Sequence, residues 1–392
     1  MKSISKVFLL SLFMSLSVTR ANAQKVNEKW LDRAVQRSEK QLLLAADNFK
    51  DSGKNPRTFE HGKVELVTER DWTSGFFPGS LWYLYELTGN EALKNEAARF
   101  TSFVEQAKYR TNTHDLGFIL NCSFGNAYRI TANEAYKEVM ITGANTLVKR
   151  YNPAVGLIRS WDFGNWQFPV IIDNMMNLEY LYIVGNLTQN QKMLNAAVSH
   201  ADKTLVNHFR ADNSCVHVVD YDTLSGGVIL KQTHQGYSNE SSWARGQAWA
   251  LYGYTMMYRF TQKPEYLAQA EKVAAFILNH PRLPEDKMPY WDFDAPNIPD
   301  EPRDASAAAI NASALLELST FVPGNKTYLR AAETILKNLA SDNYLAKEGE
   351  NGFFILKHST GNWPKNSEID TPISYADYYF VEALLRYNKL KN

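Results

Sequence analysis

A seven-residue joint that recurs along the chain constrains the fold more than any other feature. Leu87-Thr88-Gly89-Asn90-Glu91-Ala92-Leu93 is echoed by Ile130-Thr131-Ala132-Asn133-Glu134-Ala135-Tyr136, by Leu187-Thr188-Gln189-Asn190-Gln191-Lys192-Met193, and by Phe260-Thr261-Gln262-Lys263-Pro264-Glu265-Tyr266. The stretch from Phe321 to Tyr328 repeats it more loosely. Each copy reads as a helix end, a short turn and a new helix start. Segments before the joints, such as Gly75 to Leu87 and Ser242 to Phe260, are apolar, aromatic and small nearly all round, which suits a helix enclosed by others. Segments after them, such as Glu91 to Lys108 and Glu265 to Leu278, carry apolar residues at i, i+3 and i+4 beside charged ones, which suits an outer helix with one covered face.

Inner helices are expected near 74–88, 115–130, 173–187, 241–261, 304–320 and 371–388, and outer helices near 26–48, 91–109, 134–150, 190–208, 264–279 and 326–340. Six of each in alternation predict an all-α fold, an (α/α)6 barrel in which the first outer helix closes against the last inner one. An open stack of hairpins would instead need polar capping repeats at both ends. No Pro/Gly/Ser-rich linker or composition shift divides the sequence, so residues 24–392 are expected to form one domain.

The first 23 residues read as a signal peptide. Lys2 and Lys6 precede the apolar run Val7 to Val18, and Ala21-Asn22-Ala23 gives a small-x-small cleavage pattern, so the protein is expected to be exported, to the periplasm, and soluble there. No Cys stands at the cleavage site to carry a lipid anchor, and no later run approaches the roughly 18 apolar residues of a membrane span. The 42 Lys and Arg balance 42 Asp and Glu, so no global field draws nucleic acid or anionic lipid, and anion recognition must be local. Cys122 and Cys215 could pair in an export context, but Cys122 lies in an apolar helical segment, where a buried free thiol is the simpler reading. Nothing in the sequence indicates an oligomeric state.

Every inner helix is preceded by a loop rich in distinctive residues, and all these loops must lie at one end of the ring. They hold Asp71-Trp72-Thr73-Ser74-Gly75-Phe76, His114-Asp115-Leu116-Gly117-Phe118, Ile172-Asp173-Asn174-Met175-Met176-Asn177, Ser241 to Trp249, and Arg303-Asp304-Ala305-Ser306. Asp115 and Asp173 each begin an inner helix among apolar residues. One could be an acid with a raised pKa and the other its ionised partner, as in glycoside chemistry, or both could be N-caps; the same choice applies to Asp304 and Asp377. Arg245 needs an anionic partner, either a ligand carboxylate held by its planar fork or an internal ion pair. Aromatic residues make up 13% of the chain, so Trp72, Trp161, Trp243 and Trp249 are either core or sugar-stacking surfaces. His114, His217 and His234 read first as satisfied buried imidazoles. No HExxH, paired CxxC, EF-hand or GxSxG pattern occurs, His200 and His208 fall on an outer helix, and no metal site is expected.

Taken in order, Asp71 to Gly79, His114 to Phe118, Asp173 to Leu178 and Ser242 to Trp249 closely resemble glycoside hydrolase family 88, the unsaturated glucuronyl hydrolases. The resemblance continues through Tyr290-Trp291-Asp292 and Arg303 to Ala307 and so spans nearly the whole mature chain. It implies an (α/α)6 barrel that needs no metal or cofactor. It also implies action on lyase-generated oligosaccharides, glycosaminoglycan-derived above all, whose non-reducing end is a 4-deoxy-4,5-unsaturated uronic acid. The implied chemistry is hydration of the vinyl ether: an Asp protonates C4 and directs water to C5, and the hemiketal rearranges to release the leaving sugar. Asp173 matches the acid/base position and Asp115 the second essential carboxylate. Trp72, His217, Gln235, Arg245 and Trp249 match positions that hold the unsaturated sugar, His114 accompanies Asp115, and Trp161 matches a further sugar-facing aromatic.

Two alternatives stand beside this reading: the related family 105, the unsaturated rhamnogalacturonyl hydrolases, and a non-catalytic periplasmic sugar-binding barrel. The loop Lys357-His358-Ser359-Thr360-Gly361-Asn362-Trp363-Pro364-Lys365 should reach the same mouth, with Trp363 and Lys365 as candidates for reading the leaving sugar. In the family a Ser-x-x-Ser-x-Lys pattern here can recognise sulfate. The sequence departs from it, with Asn362 three residues after Ser359 and Lys365 displaced by one position.

Overall fold

The computed structural model describes residues 29–391, so the expected signal peptide lies outside the described residues. Among the described residues, twelve α-helices alternate between an outer and an inner layer. The outer helices are α1 (29–49), α3 (Glu91–Ser102), α5 (Glu134–Leu147), α7 (Gln191–Asn207), α9 (Pro264–Asn279) and α11 (Thr327–Leu339). The inner ones are α2 (Phe76–Thr88), α4 (Asn126–Thr131), α6 (Asn174–Thr188), α8 (Ala244–Thr261), α10 (Ala305–Phe321) and α12 (Ser374–Lys391). A π-wound segment, Gly117–Gly125, runs directly into α4 and completes the second inner position.

The inner ring is closed: α2 packs on the π segment, the π segment on α6, then α6 on α8, α8 on α10, α10 on α12 and α12 back on α2. The seam is fastened where expected, with Trp30 of α1 on Tyr387 of α12, ring centroids 5.4 Å apart. The fold is thus the (α/α)6 barrel that the joints predict.

The joints themselves show why the chain turns where it does. Gly89, Ala132, Gln189 and Gln262 each end an inner helix in the left-handed conformation, with φ of 71°, 53°, 53° and 56°. The next outer helix then begins on an Asn cap in three cases, where the Asn90, Asn133 and Asn190 side chains accept from N–H groups of the first turn. In the fourth, Pro264 occupies the first turn and removes a donor that would need capping. The fifth joint, at Val322, lacks the left-handed residue, in keeping with its looser sequence.

The connections at the other end are long and carry short strands that the sequence reading did not anticipate. β1 (Asn55–Glu60) pairs with β2 (Lys63–Val67), and β3 (Tyr151–Asn152) with β4 (Leu157–Ile158). β5 (Pro169–Ile171), β6 (Val218–Tyr221) and β7 (Val228–Gln232) form a three-stranded sheet, and β8 (Ser359–Asn362) pairs with β9 (Ser367–Thr371). Long loops pressed against a barrel rim must satisfy their own backbone groups, and hairpins do this without a helix. The expected ends of two outer helices, near 103–109 and 148–150, wind instead as short 3₁₀ turns, Glu105–Tyr109 and Val148–Arg150.

The π segment is the main departure from a plain helix over 115–130. Two glycines let it sit unusually close to its neighbours. A Cβ at Gly75 would lie 2.2 Å from the Ile119 carbonyl oxygen, and one at Gly117 would lie 2.6 Å from Asn177 Oδ1 and 2.7 Å from Asn177 Cα. Asn177 Oδ1 also accepts the Phe118 N–H at 3.0 Å. The start of the π segment is therefore pinned to the first turn of α6.

Two outcomes follow from this geometry. Asn190→Ala removes a cap that accepts from both Lys192 and Met193, and should lower stability by about 1 kcal/mol in denaturant unfolding with activity retained. Gly117→Ala forces the π segment off α6 and should cost about 1–3 kcal/mol together with a loss of kcat, because Asp115 and Asp173 flank that contact. Unchanged melting and kcat in Gly117→Ala would show that the close approach is not required.

Candidate active site

The loops before the inner helices enclose a cavity of about 330 Å³ at the barrel mouth. Loop pairing brings its parts together. β5 leads straight into α6, and the Ile172 N–H bonds to the His217 carbonyl at 3.0 Å, so the residue before β6 is set beside Asp173. Thr113 bridges to Trp161, and the His114 N–H bonds to the Ser160 carbonyl, so this aromatic is carried next to Asp115. Arg57 ties β1 to β9 across the mouth by a two-pronged bond to Glu368 at 2.7 and 3.0 Å, and its third arm reaches Asp71 at 2.6 Å.

Neither Asp115 nor Asp173 caps its helix by a side-chain bond. Both carboxylates instead line the cavity. Burial is the largest influence on Asp173 and pushes its carboxyl up to about 6, against the opposing effects of Arg245 and His114, while the nearby Asp115 charge adds to the rise. Burial also acts to raise Asp115, but His114, the Thr113 hydroxyl and Arg110 outweigh it and hold that carboxyl below its ordinary value. Thr113 Oγ1 donates to Asp115 Oδ2 at 2.6 Å, and His114 Nε2 stands 3.1 Å from Oδ1. Two carboxyl groups in one cavity are thereby driven in opposite directions, one towards a neutral acid and one towards a persistent anion.

His217 faces the first of them. Its Nδ1 accepts the backbone N–H groups of His234 and Gln235 at 3.1 and 3.2 Å, which leaves the ring proton on Nε2, 3.7 Å from Asp173 Oδ2. Burial pulls the His217 pKa well below its ordinary value, so the ring stays neutral and presents a fixed N–H.

Trp72, His114, Asp115, Trp161, Asp173 and Gln235 all line the cavity, whereas five other expected substrate-binding residues do not: His217, which stands behind Asp173, and Arg245, Trp249, Trp363 and Lys365. Arg245 is 1% exposed and its guanidinium is held behind the wall: Nη1 donates to Asp304 Oδ2 at 3.1 Å and to the Thr360 carbonyl at 2.6 Å, and Nη2 to the Gly361 carbonyl at 2.6 Å, while Nε has no hydrogen-bond partner. Of the two readings of Arg245, the internal ion pair is the one the geometry gives. Asp304 itself caps α10 through the Ser306 N–H. Trp249 is wholly buried between Phe118 and Tyr379. Trp363 stacks on Trp291 at 5.0 Å, and Lys365 is exposed, so their loop meets the cavity through Gly361 and Asn362 instead. Asp377, also considered as a cap, accepts the Ile355 and Leu356 N–H groups and latches the last loop, with burial raising its carboxyl to about 8.

Sequence reasoning missed Arg57, Arg110, Phe163, Glu368 and Tyr375 among the cavity's lining. Arg57 and Glu368 stand on loop strands far apart in the chain, and only the pairing of those loops makes them neighbours. Phe163, with Trp161, Trp166 and His234, forms an aromatic cluster on one wall, in which Trp161 and Phe163 stack at 4.7 Å. The Trp161-x-Phe163-x-x-Trp166 spacing was a readable signal for it. Cys122 and Cys215 are both buried and unpaired.

Comparison with known proteins agrees with this geometry. The family model of Glycosyl Hydrolase Family 88 matches residues 45–389. An unsaturated glucuronyl hydrolase of Formosa agariphila is 54% identical over 330 residues, covering 83% of this chain and 82% of its own. An unsaturated chondroitin disaccharide hydrolase of Streptococcus agalactiae serotype III is 32% identical over 377 residues, 94% of each chain. The crystal structure of an unsaturated glucuronyl hydrolase specific for heparin superposes with a TM-score of 0.92 at 55% identity, covering 93% of this chain and 98% of that one. By these matches the chain belongs to Glycosyl Hydrolase Family 88 and is a glycosidase.

Proposed function

We propose that the protein is an unsaturated glucuronyl hydrolase that removes the 4-deoxy-4,5-unsaturated uronic acid from the non-reducing end of lyase-generated oligosaccharides of glycosaminoglycan type. The observation that carries this reading is the pair Asp115 and Asp173, held in one cavity with their acidities driven apart. Protonating an alkene carbon requires a neutral acid near physiological pH, which a carboxyl group in water does not supply. Burial gives Asp173 that character. In the proposed reaction the Asp173 proton goes to C4, positive charge develops at C5 next to the ring oxygen, and the Asp173 carboxylate then takes a proton from the water that adds to C5. The hemiketal so formed opens and releases the leaving sugar. Asp115 stays ionised throughout and offsets the positive charge that develops at C5. The fixed N–H of His217 faces Asp173 and stabilises its carboxylate once the proton has left.

Relatives support the unsaturated uronate end, since one neighbouring structure holds dGlcA-GalNAc6S and another dGlcA-Glc-Rha-Glc, and the first of these supports the glycosaminoglycan type. Export to the periplasm belongs to the same proposal. It rests on Lys2, Lys6, the run Val7 to Val18 and Ala21-Asn22-Ala23, and fits a protein that meets fragments of an external polymer.

Asp173→Asn keeps the side-chain shape but not the proton and should lower kcat on an unsaturated disaccharide by about 10² to 10⁴, with unchanged thermal unfolding. Turnover is read as loss of the ultraviolet absorbance of the conjugated acid. Retention of wild-type kcat would overturn the assignment.

The pH profile gives an independent check. An acid catalyst must be protonated, so kcat/KM should fall as pH rises through about 6, while the low-pH limb, set by Asp115, should appear only below the ordinary aspartate range. A profile rising above pH 6 would contradict Asp173 as the acid.

A further inference from the structure

Each cation near the cavity can be sorted by what already neutralises it. Arg57 lies against two carboxylates, Glu368 and Asp71. Arg245 is paired with Asp304, bonds to the Thr360 and Gly361 carbonyls, and does not line the cavity. Arg70 extends into solvent with its side chain 86% exposed, and Lys365 is likewise exposed. Arg110 is different. It lines the cavity and is half-buried, yet it makes no salt bridge among the described residues.

A guanidinium offers five N–H donors in a planar fork. Arg110 directs one bond to protein, Nη1 to the Glu69 carbonyl at 3.0 Å. It ends the 3₁₀ turn Glu105–Tyr109, whose cap bond from the Arg110 N–H to the Ala107 carbonyl fixes the backbone, and five residues later the chain reaches Asp115. Asp115 is occupied by Thr113 and His114 and acts on Arg110 only through space. A half-desolvated, unpaired cation on a cavity wall is costly, and an oxyanion ligand relieves that cost with two parallel bonds. Burial also pulls the Arg110 pKa down from its ordinary value, the sign of a cation whose neighbours do not fully compensate it.

On the reading of this cavity as the site of the unsaturated uronate, we propose that Arg110 is a substrate-binding residue that takes an oxyanion of the substrate, either the uronate carboxylate or an ester sulfate. Unlike Arg245, it lines the cavity itself. The two sources share one chemistry, a planar fork on paired oxygens, and they separate by experiment.

The test measures binding of an unsulfated and a 6-O-sulfated unsaturated disaccharide by calorimetry in the Asp173→Asn protein, which binds without turnover, with Arg110 intact or changed to Gln or Lys. Arg110→Gln should weaken binding by about tenfold or more, the loss of one charge-assisted bond, and Arg110→Lys, which keeps the charge and lacks the fork, should recover part of it. Equal weakening of both disaccharides identifies the carboxylate as the partner. Weakening of the sulfated one alone identifies the sulfate. Unchanged affinity for both in both folded variants overturns the inference and leaves the hydrolase reading intact. Failure of Asp173→Asn with Arg110 intact to bind either disaccharide overturns both.

Discussion

Closure of the inner ring is the constraint on which the rest of this structure depends. Helices that are apolar nearly all round are stable only if every side is covered, and the last can be covered only by the first. The closure is also held by a buried carboxylate. Glu382 of α12 accepts the hydroxyls of Tyr83 and Tyr252, each at 2.9 Å, and of Ser313 at 2.6 Å, so α2, α8 and α10 converge on one residue of α12. Arg386, one turn on, lies between Glu382 and Glu317 and balances the charge. Removing Glu382 alone would leave three buried hydroxyls without this acceptor and Arg386 with Glu317 as its remaining carboxylate, a larger loss than the net worth of the bonds themselves.

With the ring fixed, each inner helix starts at a set place on the rim, and the chemistry is built from those starts. The docking of the π segment on α6, through Gly117 against Asn177 and Phe118 onto the Asn177 amide oxygen, sets Asp115 and Asp173 in one cavity. Their environments then differ through immediate contacts. Asp115 has a hydroxyl and an imidazole within hydrogen-bond reach, whereas Asp173 Oδ2 has no hydrogen-bond partner and faces a neutral ring. At Asp115 the effects of His114, Thr113 and Arg110 outweigh burial, whereas at Asp173 burial outweighs those of Arg245 and His114. The same fold thus supplies an acid and an anion from two identical side chains.

The aromatic surplus divides along similar lines. Trp249, Trp291 and Trp82 fill the interior, while Trp72, Trp161 and Phe163 face the cavity. Flat rings with a polar edge suit a sugar face, and the cavity's charges remain local in a protein whose formal net charge is zero.

The joints Leu87 to Leu93 and its echoes determined the fold from sequence alone, because a left-handed residue followed by an Asn cap is local chemistry that needs no tertiary partner. The order of motifs likewise placed Trp72, His114, Asp115 and Asp173 at one mouth, since consecutive outer-to-inner loops of a closed ring share one end, whereas Gln235 was indicated by the resemblance to family 88 alone and Trp161 by the aromatic content and that resemblance. What only the tertiary structure decided was orientation. Arg245 and Trp249 sit on the same inner helix start as the motif that announced them, yet they turn into the core, where Asp304, two loop carbonyls and neighbouring rings take them up. Arg57, Glu368 and Arg110 gave no periodic signal, because loop residues acquire partners by the pairing of strands distant in sequence. Periodicity says which helix a residue belongs to; the facing of a side chain at a helix start, and the neighbours of a loop cation, depend on packing contacts that a one-dimensional pattern does not contain.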